Sequence, residues 1–385
     1  MRCEQRSWTA ASGWSGGDEA LGDAGLVLYF GRREALASGE RHRDLQAAYP
    51  GARLLGCSTG GQILGDAIDD DGVVATAMRF EATGLRLAMV DVAGPAASRE
   101  CGETLGRALK GDGLAGVFLL SDGLHVNGSG LVAGLGAALG SSVPLSGGLA
   151  GDGAHFGATL VGAGDAPPGE KRAAAIGFYG TAVRIGHGSG GGWESFGPRR
   201  RVTRSVGNLL LELDGEPALD LYERYLGEEA EGLPGTALLY PLRIWDTARP
   251  EHDVVRTVLG VDRAARTMTF AGDIPEGWAA QLMHGRFESL VAGAAGAAAQ
   301  AAGGPTPDEP GADRLAVLVS CIGRRLVMGQ TITDEIVAAG TGLPPGTRTT
   351  GFYSYGEIAP HAATGACELH NQSMTVTVFS EAVAG

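Results

Sequence analysis

Apolar stretches in this chain are short, strand-length and bounded by glycine, as residues 114–120 show. None approaches the roughly 18 consecutive apolar residues of a membrane helix, so no membrane span is expected. The opening segment MRCEQRSWTAASGWSGG lacks the apolar centre of a secretory signal, and a cytoplasmic location is expected. With 44% hydrophobic residues among 385, the chain has material for two compact parts, each with its own core.

The order of elements suggests a repeat. The first part reads as a strand over 26–30, a helix over 33–49 and a strand over 53–57. A hairpin follows over 72–80 and 85–92, then a helix over 97–110, a strand over 115–121, a helix over 129–139 and late strands over 156–161 and 173–179. The second part reads as strand 208–213, helix 217–226 and strand 237–244. Next come a hairpin over 254–261 and 267–271, helix 285–302, strand 315–320, helix 333–339 and late strands 347–355 and 374–379. The parallel order implies two pseudo-duplicated halves, 25–190 and 202–381, joined through a glycine-rich, irregular region at 186–202. Hairpins within each half imply an α/β (α+β) class with mixed, largely antiparallel sheets covered by helices. Residues 303–312, rich in Pro and Gly, read as a mobile surface loop that could be shortened.

Composition excludes several functions. A net charge of −14 and a pI near 5.0 oppose polyanionic partners, so no nucleic acid is expected; the Arg199–Arg201 run is too short to supply phosphate contacts. Five scattered cysteines without a Cys-x-x-Cys pair signal neither a disulfide framework nor a zinc site. No histidine pair has metal spacing: His361 and His370 are nine apart, and His252, His284, His42 and His125 stand in separate segments. No metal is therefore expected.

Two motifs match catalytic or cofactor patterns only formally. Gly186-His187-Gly188-Ser189-Gly190-Gly191 spells G-x-G-x-x-G, but no helix follows to face a pyrophosphate. Gly56-Cys57-Ser58-Thr59-Gly60 spells a nucleophile elbow, but its continuation is short and glycine-broken where a long helix is needed. A hydrolase built on Ser58 or Cys57 would have His155 or His370 as base. A tight turn lining a pocket, with N–H groups for a small anion, is the simpler reading.

Polar residues concentrate in three further stretches: the glycine loop around Gly148 and Asp152, the segment bearing Tyr353 and Glu357, and the segment Glu368, His370, Asn371. The plain alternative for each is a turn whose side chains cap backbone groups. The duplication would bring the first two together about a pseudo-twofold axis. A pocket is expected from Cys57, Ser58, Thr59, Gly60, Gly148, Asp152, Tyr353, Glu357, Glu368, His370 and Asn371, suited to a zwitterionic small molecule.

These residues also carry a resemblance. Gly56-Cys57-Ser58-Thr59-Gly60-Gly61-Gln62-Ile63 and Gly147-Gly148-Leu149-Ala150-Gly151-Asp152, with Phe156 and Thr159, resemble the signatures of the FIST N-terminal domain. Leu213-Asp214-Gly215-Glu216-Pro217, Ser320-Cys321-Ile322-Gly323-Arg324, Tyr353-Ser354-Tyr355-Gly356-Glu357 and Cys367-Glu368-Leu369-His370-Asn371 resemble blocks of the FIST C-terminal domain. The resemblance spans about residues 25–381. It implies a sensory input module of bacterial type, not an enzyme, that binds a small ligand such as an amino acid. It also implies signalling to a histidine kinase, chemoreceptor or cyclic-dinucleotide enzyme. After Phe379 few residues remain, so the output is expected in another polypeptide. One branch of the family is described as haem-binding nitric oxide sensors, for which His370 and His187 would be the axial candidates; otherwise no cofactor is expected.

Overall fold

Strands covered on both faces need no alternation of polar and apolar residues, and the apolar runs of this chain form such strands. The computed structural model describes residues 1–17, 21–303 and 313–382. Among them, three mixed sheets share one design and a fourth, antiparallel sheet stands apart.

Each of the three sheets is built around a unit of four strands. The first unit contributes Arg2–Thr9, Leu26–Gly31, Arg53–Ser58 and Val73–Arg79. The second contributes Gly84–Asp91, Leu114–Ser121, Leu145–Leu149 and Arg172–Tyr179, and the third Val183–Gly190, Leu315–Cys321, Arg348–Ser354 and Met374–Glu381. In every unit the second and third strands run parallel, joined by a helical crossover. The fourth lies antiparallel beside the second, with the first antiparallel outside it.

The units are interlocked. Between its third and fourth strands each sends a hairpin onto a neighbour's third strand. Gln62–Leu64 of the first unit pairs with the third unit, Val161–Ala163 of the second with the first, and Gly356–Pro360 of the third with the second. The exchange is cyclic, so no unit has a complete sheet without another. Leu28, Phe30, Phe118, Leu120, Val319, Phe352 and Phe379 pack together from all three sheets. Phe30 stacks on Phe352 with centroids 4.6 Å apart, and each buried ring contributes roughly 1.5–3 kcal/mol.

Residues 193–285 are inserted between the first and second strands of the third unit. They form the fourth sheet around the helix Ala218–Leu226 and have their own core, including Leu219, Tyr222, Ile244 and Phe270. The three units form the body that carries this insert.

The α/β class with mixed, largely antiparallel sheets and covering helices agrees with the sequence reading. The repeat differs, since the body contains three units where two halves were expected. The third unit is interrupted by the insert, whose strands were read as the opening of a second copy. The expected hairpin over 72–92 is no hairpin: Val73–Arg79 and Gly84–Asp91 belong to different sheets. The turn between them is capped by Glu381, which accepts the N–H groups of Glu81 and Ala82.

The region 186–202 is not irregular. It forms the strands Val183–Gly190 and Trp193–Val206. A Cβ on Gly186, Gly188 or Gly190 would stand 1.9–2.2 Å from the carbonyl oxygens of Ala301, Ala297 or Gly293. These alternate glycines let the helix Phe287–Ala302 lie directly on the strand, which accounts for the formal G-x-G-x-x-G. The helix expected over 33–49 breaks at Gly39, with φ 70°. Residues 156–160 are not strand, and 237–244 begin as the 3-10 helix Gly235–Leu239 before the strand Leu242–Asp246. The loop read over 303–312 lies, beyond Gly303, outside the described residues.

Candidate functional site

The parallel strand pairs of all three units end at one pole of the body, where ligand sites of α/β sheets are commonly built. Three loops meet there in a ring of backbone hydrogen bonds. Gly151 N–H donates to Ser58 O (2.9 Å), Gly60 N–H to Tyr353 O (2.8 Å) and Tyr355 N–H to Leu149 O (3.2 Å). The relation is threefold, which corrects the expected twofold approach of the Gly148–Asp152 and Tyr353–Glu357 segments.

Most of the polar residues singled out in the sequence are consumed by this junction. Ser58 Oγ is fully buried and accepts the Leu160 N–H at 2.8 Å. Cys57 lies in the central core, where burial pushes its thiol well above its ordinary pKa. Gly148 packs on Val319, where a Cβ would stand 2.7 Å away. Asp152 accepts the Gly157 and Ala158 N–H groups at 2.9 and 3.0 Å and the Tyr355 hydroxyl. Glu357 is fully buried and accepts the Ser354 hydroxyl at 2.7 Å and the Ser373 hydroxyl at 2.9 Å; burial raises its carboxyl to about 8. Tyr353 is buried beneath the Arg325 guanidinium, 5.2 Å from its ring.

The segment Glu368–Asn371 belongs to the seam between body and insert. Glu368 pairs with His252 of the insert, and Arg256 of the insert donates to Leu369 O at 2.9 Å. His370 Nε2 bonds Ala359 O at 3.1 Å, and burial lowers its pKa to about 4. Asn371 is buried, and its amide finds no partner among the described residues.

Two clefts open at the pole. The first, about 380 Å³, brings together Thr59, Gly60 and Asp152 of the expected set, with Arg32, Arg33, Glu34, Asp70, Asp71 and Arg325. Its arginines are already paired: Arg32 and Arg33 with Glu34 at 2.9 and 2.6 Å, and Arg325 with Asp70 at 2.6 Å. The second, about 570 Å³, lies between body and insert. The body supplies Leu124, Asn127, Leu149, Phe156, Ile322 and Tyr355, and the insert Leu238, Thr257, Val258, Leu259 and Phe270. None of the eleven residues expected at the site lines this larger cleft. Its insert side was missed because these residues are mostly apolar and come from distant segments; on the body side Leu149, Phe156, Cys321, Ile322 and Tyr355 had stood out only as parts of the family-like signatures.

The sequence profile of the FIST N domain matches residues 25–216, and that of the FIST C domain matches residues 218–360. The chain belongs to the FIST family. FIST domains are sensory signal-transduction domains. The boundary between the two profiles is not a boundary of the fold, since hairpins from each part complete sheets of the other. No curated protein sequence matches the chain. Among eight matching chains of solved structures is cyanuric acid hydrolase from A. caulinodans, 9% identical over 99% of both chains, with a TM-score of 0.38.

The other candidate chemistries find little support in the geometry of this FIST protein. Ser58 bonds a backbone N–H, while His155 and His370 bond the carbonyls of Asp152 and Ala359, so no serine–histidine pair is formed. A haem would need an imidazole facing a cavity. His370 is committed to Ala359. His187, with both ring nitrogens buried and without a partner among the described residues, lines neither cleft. These residues do not fit a haem. Among the described residues no cluster of His, Cys, Asp or Glu could hold a metal ion, and no helix is long and apolar enough to cross a membrane.

Proposed function

We propose that this FIST protein is a cytoplasmic sensory input module whose small-molecule ligand binds in the cleft between body and insert. One observation carries the reading: the cleft is walled by both parts, so its occupant touches both at once. At about 570 Å³ it lies in the usual range of small-molecule sites. A ligand favours whichever arrangement of the two parts gives it more contact, and so shifts their equilibrium. The output is a separate protein, such as a histidine kinase, chemoreceptor or cyclic-dinucleotide enzyme, which reads the position of the insert. Family membership supports this signalling role.

Leu259 is 47% exposed and lines the cleft, so Leu259→Trp fills the space without disturbing a core. A thermal-shift screen of a metabolite library against both proteins tests the proposal. A true ligand stabilises the wild type, by about 2.7 kcal/mol at a hundredfold excess over Kd, and leaves Leu259→Trp unshifted. Hits that shift both proteins equally would place the site elsewhere.

A further inference from the structure

We infer that the cleft takes an uncharged, planar and mostly apolar ligand. This rests on the cleft being the sensing site proposed above.

The first ground is the absence of charge. Among the described residues no Asp, Glu, Lys, Arg or His lines the cleft. Nearby charges are turned to other tasks: Asp273 accepts the Asn127 amide at 2.9 Å, and Arg256 donates to Leu369 O and Asp273 O. A zwitterion would bring two charges into this space with no partner for either, and desolvated charges without partners are costly. The free amino acid expected from the sequence is therefore a poor occupant.

The second ground is a fixed flat wall. Phe156 stacks on Tyr355 with centroids 4.7 Å apart and planes 17° from parallel, yet it remains 41% exposed. Its φ is 49°, a left-handed conformation that a bulky residue seldom adopts unless its surroundings hold it there. Tyr355 beneath it is held through its hydroxyl, which donates to Asp152 and Gly153 O. The body thus presents an aromatic face to the cleft, and a planar ligand can lie against it.

The third ground is that the polar side chains beside the insert wall are closed to the cleft. Thr257 lines the cleft but is only 4% exposed, and its Oγ1 is sealed beneath the surface. The nearby amides are occupied: Asn127 bonds Asp273 and the Gly130 N–H, and Asn208 donates to Phe270 O. A ligand that needs few polar contacts suits such a lining.

Nile red, a planar uncharged dye with one carbonyl, is a suitable probe for fluorescence titration of the full chain. The dye should bind saturably, and roughly tenfold more weakly to Leu259→Trp and Phe156→Ala. Free leucine and glutamate at millimolar concentration should not displace it. Competition by either amino acid that Leu259→Trp abolishes would keep the cleft as the site and overturn the ligand class. Dye affinity unchanged in both variants would remove the cleft itself. A lack of saturable dye binding would overturn the inference, with the library screen judging the cleft separately.

Discussion

The two clefts at the pole share a wall, formed by Ala154 and Ile322, yet their linings are opposite in character. One is crowded with arginines and carboxylates that already satisfy each other; the other has no charged side chain among the described residues. A charged surface groove whose ions are mutually paired offers a ligand little, because each contact must displace an existing one. An uncharged cleft between two separately cored parts offers apolar area that only a ligand can cover. The conspicuous polar residues hold three interlocked units together, and the inconspicuous ones form the better pocket.

Ile322 of the shared wall opens the helix Ile322–Met328, and breaking the anchorage of that helix should have the largest effect. Arg324 and Glu335 form a fully buried ion pair, and Arg324 also donates to Leu290 O at 2.8 Å and to Gly191 O, at the two ends of the insert. Arg324→Ala strands a buried carboxylate and should cost about 3–5 kcal/mol in chemical denaturation. The adjacent Arg325→Ala, which removes a partner of the 60% exposed Asp70, should cost at most about 1 kcal/mol. Equal losses would show that the wall is not anchored through Arg324.

A smaller effect separates structural from ligand-binding carboxylates. Because burial raises Glu357 to about 8, the folded chain holds a proton that the unfolded chain releases above the ordinary carboxylate range. Stability contributed by this group is therefore lost as pH rises toward 8. His370, lowered to about 4, acts in the opposite sense, losing stability as pH falls from 6.5 toward 4. Between pH 6.5 and 8 the Glu357 slope is left alone of the two, amounting to about 2 kcal/mol. Glu357→Gln should flatten that slope and leave affinity for a cleft ligand unchanged. If the variant keeps the slope but loses the ligand, Glu357 belongs to the binding site.

The fold was legible where burial alone writes the pattern. Strands such as Leu26–Gly31 and Leu315–Cys321, buried along their whole length, appear as continuous apolar runs. The strand Val183–Gly190 was not legible, because its glycines disfavour a strand until the helix Phe287–Ala302 is laid on them. The number of units was hidden by the insert and by the exchanged hairpins, whose partners lie far along the chain. Ser58, Asp152 and Glu357 stood out in the sequence as polar groups near strand ends, but their partners, which hold the junction of the three units, could not be read. Leu259 carries no sequence signal at all: its exposed side chain has meaning only beside a cleft made by two parts.

The account stands most directly on hydrogen–deuterium exchange of the full chain with and without bound Nile red. Protection should appear in residues 234–238, 257–259 and 269–271 of the insert and 123–127 of the body, the segments that face each other across the uncharged cleft. Protection confined to residues 32–34, 59–61 and 152–155 would place the ligand in the charged cleft and contradict the account.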